Sequence, residues 1–239
     1  MSDDTLTVGT DRAAPNGALR LSDLMRVLQD RTVTLFESVG DGYDAVSERG
    51  LAWVVTRYRF EIRRMPRYLE TVRIELRCAK PRHGVYPIEY GVIAPDGETI
   101  VLAVGHWLLI DTNSRSASGD DSVHLPVTLE RPALKTTLNI RPTGRVSVTR
   151  HRADYSRCDM NGHMNNTRYL DLAESLLPCD YQMAHAVTQA DVIYRSEIPM
   201  DASFDVQLFE DGNTFYFEGL GPQRLFLIQL TYGDPGKGD

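Results

Sequence analysis

The order of periodicities along this chain constrains its fold more than any single residue does: a helical pattern followed by four strand-like runs occurs once, and then occurs again. In the first half, Leu24, Leu28, Leu35, Phe36 and Val39 recur at helical spacing, Ser22 stands as an N-cap with Asp23 in the first turn, and Gly40 ends the run. Four β-like runs follow, Ala52–Arg63, Thr71–Ala79, Tyr86–Ile93 and Ile100–Ile110, with Pro95-Asp96-Gly97 turning between the last two. The second half opens on the strand-like Arg145–Arg150, passes a polar block, and enters a helix over about Asn166–Leu177 that Pro178 stops. Ala186–Tyr194, Ser203–Glu210, Thr214–Gly219 and Leu225–Tyr232 then read as strands, with Asp211-Gly212-Asn213 as a hairpin turn. One helix and four strands, twice, predict a duplicated α+β unit, a repeat of pattern with no identity visible by eye. The polar stretch Ser114–Ser122, running on to Pro126, Pro132 and Pro142, marks the join. The expected units are therefore residues 1–125 and 145–239, with a linker over 126–144.

The two halves differ in chemistry. Cys158-Asp159-Met160-Asn161-Gly162-His163-Met164-Asn165-Asn166 places a carboxylate, a carboxamide and an imidazole at alternate positions directly before the second helix. In an extended segment, residues two apart project to one side, so Asp159, Asn161 and His163 are expected to converge. Asn165 or Asn166 is the expected N-cap. Exposed N–H groups at a helix start stabilise a developing oxyanion, so the cluster suits acyl transfer. Before the first helix, Asn16-Gly17 is followed by Ala18-Leu19, and nothing there is expected to correspond to Asp159, Asn161 and His163.

Asp159-x-Asn161-x-His163-x-Asn165-Asn166-x-x-Tyr169, followed by Glu174-Ser175, resembles the motif of the acyl-acyl-carrier-protein (acyl-ACP) thioesterases of plants and bacteria. Leu21-Ser22-Asp23-Leu24 with Gln29-Asp30, Trp53-Val54-Val55-Thr56-Arg57-Tyr58 with Glu61-Ile62, Glu70-Thr71-Val72 and Trp107-Leu108-Leu109-Ile110-Asp111 fit the same pattern, over roughly Leu19 to Tyr232. The resemblance implies a tandem hot-dog fold, each unit an antiparallel sheet wrapped around a central helix. The first unit would hold the acyl chain and the second would do the chemistry. It also implies a further acidic residue in a Tyr-Arg-x-Glu setting, which Tyr194-Arg195-Ser196-Glu197 supplies as Glu197. Plant members carry a cysteine immediately after that glutamate; here the position is Ile198, which cannot attack a carbonyl. Cys158 would project away from the Asp159 side in an extended run and is read as packing.

The expected function is hydrolysis of a fatty acyl-ACP thioester, releasing free fatty acid and ending chain elongation in fatty acid biosynthesis. The catalytic set is Asp159, Asn161, His163 and Glu197, with Asn165 and Asn166 binding substrate. Glu197 acts as general base for water, or as nucleophile, while Asn161 and His163 position the water or polarise the carbonyl. An unperturbed carboxylic acid titrates near ~4.3 and a histidine near ~6.5, so both serve as bases at neutral pH. An acyl-CoA thioesterase of the same fold and a non-catalytic acyl-thioester-binding protein remain alternatives. Leu24, Val27, Leu28, Val55 and Tyr58 are candidates either for the acyl pocket or for ordinary core.

Composition narrows the partners. A formal net charge of −7 carries no global field for nucleic acid. One basic run, Arg57 to Arg82, would suit an acidic carrier protein, or else the solvated face of two strands. No apolar run reaches the ~18 residues of a membrane span. The start, Met1-Ser2-Asp3-Asp4, is acidic where a secretory signal is basic. Cys78, Cys158 and Cys179 form no Cys-x-x-Cys pair, and His83, His106, His124, His151 and His185 form no pair at metal-ligand spacing. The expectation is a cytoplasmic enzyme without cofactor or metal. Its partner is an acyl carrier protein bearing a fatty acyl chain, with a homodimer left open.

Overall fold

In the computed structural model, residues 4–118, 123–136 and 140–234 are described; 119–122 and 137–139, part of the expected join, lie outside the described residues. The chain runs β1 (Thr5–Thr7), α1 (Leu21–Ser38), α2 (Tyr43–Ser47), β2 (Leu51–Ile62), β3 (Thr71–Ala79), β4 (Val85–Ile93), β5 (Thr99–Asp111) and β6 (Val127–Leu129). It continues through β7 (Arg145–Arg152), α3 (Arg168–Ser175), α4 (Cys179–Ala184), β8 (Ala186–Tyr194), β9 (Ser203–Asp211), β10 (Thr214–Leu220) and β11 (Arg224–Gly233).

The expected α+β class holds, and every strand-like run of the sequence is a strand. Rather than two separate sheets, the halves share one continuous sheet in the order β1-β3-β4-β5-β2-β8-β11-β10-β9-β7, with β6 parallel to β3 at its edge. The join is the antiparallel pairing of β2 with β8, Arg57 opposite Ile193 through Glu61 opposite Gln189. About that join the order is symmetric: β3-β4-β5-β2 on one side answers β9-β10-β11-β8 on the other. β1 on β3 and β7 on β9 complete the correspondence. Strand β1 has three residues, too few for the alternation that marks a strand in sequence.

Each half wraps a helix. α1 lays Leu24, Leu28 and Phe36 on the inner face of its sheet, where Tyr58, Phe60 and Tyr90 are fully buried. Phe36 stacks on Trp53 with centroids 4.1 Å apart and meets Trp107 edge-on at 5.5 Å. Burying each such side chain is worth about 1.5–3 kcal/mol, which outweighs intrinsic helix propensity. Val27 and Val55 join the same core. Ser22 is not the N-cap expected. Burial of Leu19 and Leu21 sets the helix start, Arg20 takes the cap position without a side-chain bond, and the Ser22 hydroxyl is buried inside the first turn. In the second half α3 is shorter than its apolar spacing suggests, because Asn165–Thr167 forms a turn ahead of it; Tyr169 packs edge-on against Tyr194 at 5.3 Å and Phe226 at 4.9 Å. Arg26 of α1 ties the helices together, reaching Asp171 and the Thr167 hydroxyl of the α3 end.

The segment between the halves crosses the outer face of the sheet. Glu130 pairs with Lys80 and Arg82, the Ala133 N–H donates to the buried Glu89 carboxylate, and Ile140 packs on Ile193 and Leu227. Under it, burial and the neighbouring Arg57 push His106 down to about 4, so it is neutral at physiological pH. No helix among the described residues is long and apolar enough to cross a membrane.

Candidate active site

The polar block is not extended. Cys158 bridges Met164, and between them Asp159 to Gly162 makes a tight turn with Gly162 at φ +75, a conformation glycine adopts without strain. The three residues therefore do not alternate along a strand, and the hairpin sets Asp159 across from His163 through their backbones. The Asp159 N–H bonds the His163 carbonyl at 3.0 Å across the hairpin, and Asp159 Oδ1 accepts the Asn161 N–H at 3.0 Å. Asp159 Oδ2 accepts from Asn165 Nδ2 at 3.1 Å. Asn165 Oδ1 in turn accepts the Thr167 N–H at 3.0 Å and the Thr167 hydroxyl at 2.8 Å. Asn165 thus ties down the turn before α3, while Thr167 holds the N-cap position itself.

The expectation of open N–H donors at the helix start needs correction. The Thr167 N–H is held by the Asn165 side chain and the Arg168 N–H by the Asn165 carbonyl, at 2.9 Å. The Asn161 side chain is exposed and lies outside this network. Asn166 contributes its carbonyl, which accepts from the Tyr194 hydroxyl at 2.7 Å.

His163 and Glu197 are brought together from different segments. A bridge between His163 and Pro199, and the Met164 N–H on the Ile198 carbonyl at 2.8 Å, lay the hairpin beside the chain leaving β8. His163 Nε2 lies 3.5 Å from Glu197 Oε2. The Arg115 guanidinium engages that same oxygen. Sequence reasoning missed Arg115, which sits inside the stretch read as the start of a linker. The chain there turns back instead: Asp111 accepts the Asn113 and Ser114 N–H groups, and Ala117 bridges Ile110. The Asp-x-Asn-Ser spacing could have announced that turn. Nothing local announces a partner so far along the chain.

Cys158 is partly buried among apolar neighbours, and burial together with the nearby Asp159 raises its thiol above the ordinary range, keeping it protonated. Ile198 is buried in the core. The basic run is largely consumed within the fold: Arg59 pairs with Asp191 and Glu61, Arg63 with Glu98, Arg64 with Glu70, Arg73 with Glu75 and Arg77 with Glu89.

The first half carries the same hairpin in its backbone; as expected, it lacks counterparts to Asp159 and His163, and only Asn161 is matched, by Asn16. Ala13 bridges Leu19 as Cys158 bridges Met164, and Ala18 bridges Arg67 as His163 bridges Pro199. The Ala14 N–H bonds the Ala18 carbonyl, and the Leu19 N–H bonds the Pro66 carbonyl, each the counterpart of a bond around Asp159 and Met164. Gly17 at φ +78 answers Gly162, and Leu69 at φ 66 answers Asp201 at φ 68. In this register Ala14 stands at the Asp159 position, Asn16 at Asn161, Ala18 at His163 and Met65 at Glu197.

Models of the acyl-ACP thioesterase N-terminal and C-terminal domains match residues 3–120 and 141–218. The chain is similar to the chloroplastic dodecanoyl-[acyl-carrier-protein] hydrolase of Cinnamomum camphora, 24% identical over 223 residues that cover 83% of this chain and 56% of that protein. It thus spans about half the length of the curated relatives it matches. An acyl-ACP thioesterase structure from Bacteroides thetaiotaomicron superposes with a TM-score of 0.85 at 21% identity, covering 96% of both chains. The 12:0-ACP thioesterase of Umbellularia californica gives 0.79 at 18%, again over 96% of each. The structural likenesses carry the fold, a tandem hot-dog; the two adjoining domain models carry the kinship, and the chain belongs to the acyl-ACP thioesterase family.

Proposed function

We propose that the protein hydrolyses fatty acyl-ACP thioesters, releasing free fatty acid and ending chain elongation, with its chemistry at the second hairpin. The observation that carries this reading is the meeting of His163 and Glu197 at 3.5 Å, on the hairpin that also presents the exposed Asn161. Arg115 and His163 both face Glu197 Oε2, which leaves Oε1 to take a proton from water. The hydroxide so formed attacks the thioester carbonyl carbon. Asn161 Nδ2 donates to the oxygen as it gains charge. Collapse breaks the C–S bond, and the proton held by Glu197 returns to the sulfur, giving thiol and carboxylic acid. Asp159 and Asn165 act on geometry, fixing the hairpin against α3, while the apolar first half around α1 holds the acyl chain. All three cysteines are free thiols, which suits the cytoplasm.

Thiol release from matched acyl-ACP and acyl-CoA series, with the free fatty acids profiled, tests the reading. Turnover is expected on acyl-ACP. Faster turnover across the CoA series would transfer the activity to acyl-CoA, and stoichiometric binding without thiol release would make the protein an acyl-binding module.

A further inference from the structure

A cleft of 740 Å³ opens at the first hairpin, against β2 and the start of β8. Leu19, Leu21, Ile62, Met65, Val187 and Tyr232 form the apolar part of its lining, alongside charged residues that include Arg20, Arg63, Arg64 and Arg67. The duplication makes this cleft the counterpart of the catalytic site: Ala14, Ala18 and Met65 replace Asp159, His163 and Glu197, while Asn16 keeps the place of Asn161. The backbone that presents the catalytic groups is intact here, and the groups that would cleave a thioester are missing.

We propose that this cleft is a second acyl-binding site, taking the chain of a free fatty acid into its apolar interior with the carboxylate on Arg67 at the mouth, and without turnover. The choice of ligand rests on the acyl-thioester reading of the second hairpin. Three observations support it. The volume matches the size of sites for lipid-like small molecules. The Arg67 guanidinium is steadied by the Asn16 carbonyl at 3.1 Å and makes no ion pair among the described residues, whereas Arg63 and Arg64 beside it are paired with Glu98 and Glu70. Of the two acids in the lining, Asp234 is exposed and Glu174 is held up at about 8 by burial and by Asp171, so at neutral pH the wall Glu174 contributes is uncharged and tolerates a hydrocarbon chain.

Decanoate titrated calorimetrically into the intact protein tests this. Two decanoate molecules should bind per chain, and Ala18→Trp, which fills the cleft from the hairpin, should leave one while thiol release from acyl-ACP stays at the wild-type rate. Should Ala18→Trp fold poorly, Arg67→Glu gives the second reading: reversing the charge at the mouth should weaken one of the two binding events by about tenfold and spare the other. A single binding event in the wild type, or two that persist unchanged in both variants, would overturn the proposal. If thiol release is absent throughout while Ala18→Trp still abolishes a binding event, the catalytic reading fails and the cleft stands.

Discussion

The two hairpins of this protein, residues 13–19 and 158–164, have the same bridges, the same glycine conformation and the same clasp on the strand-exit segment of their own half. They differ at three side chains that matter to chemistry: alanine, alanine and methionine on one side, aspartate, histidine and glutamate on the other. Duplication therefore supplied a scaffold twice, and in the proposed function the side chains standing on it decide which copy reacts. The comparison also separates two roles within the motif. Gly162 is matched by Gly17 because both turns need a positive φ, so that glycine belongs to the backbone. Asp159 and His163 have no counterpart in kind, and the proposed chemistry rests on that difference.

The largest losses are expected at His163 and Asn161. A positioned general acid, base or polarising group typically contributes ~10²–10⁴ in rate, so His163→Ala and Asn161→Ala should lower kcat within that range with the circular dichroism spectrum unchanged. Because His163 lies against Glu197, a double change at the two should cost far less than the product of the single effects. Strict multiplication would place the two in separate machinery.

Arg115 sharpens the comparison, because it comes from the first half and acts on the second. Arg115→Met leaves Glu197 Oε2 to His163 alone and should reduce kcat by about tenfold with little change in KM. A pH–rate profile distinguishes this from a packing effect: removing a cation beside Glu197 should move the acid limb to higher pH, and an unmoved limb contradicts the contact.

Glu174 lies inside the cleft of the first hairpin, where burial, reinforced by Asp171 and Asp23 and opposed by Arg20 and Arg26, holds its carboxyl at about 8. In the unfolded chain it ionises near ~4.3, so between those values the folded state binds the extra proton and stability falls as pH rises. Glu174→Gln should therefore raise Tm at pH 8 and leave it nearly unchanged at pH 4. An equal difference at both pH values would mean that the carboxyl is solvated. The smallest effect is expected for Cys158→Ala, whose thiol is protonated and packed. Its kcat should match the wild type, and an acyl group trapped on Cys158 would refute the water mechanism.

Much of this was legible in the sequence, and the exceptions have physical causes. The long strands were readable because each carries a sustained apolar face, as in Thr71–Ala79 and Ala186–Tyr194, whose ends agree with the structure. β1 and β6 are three-residue strands set by pairing to β3 rather than by their own pattern. The site residues were named by a motif, but their geometry was misjudged: the alternation of Asp159, Asn161 and His163 suggested an extended run, and Gly162 at positive φ turned it into a hairpin. The equivalence of Asn16 with Asn161 could not be seen because it resides in backbone bonds, which tolerate alanine in place of aspartate and histidine.

The central claim is that one of two equivalent hairpins carries the chemistry. The most direct test is kcat for thiol release across an acyl-ACP chain-length series, measured side by side for wild type, Glu197→Ala and Met65→Ala. These are the same substitution at matched positions. Glu197→Ala is expected to lose ~10²–10⁴ in kcat and Met65→Ala to keep near wild-type turnover. Wild-type kcat in Glu197→Ala, or equal losses in both, would contradict it.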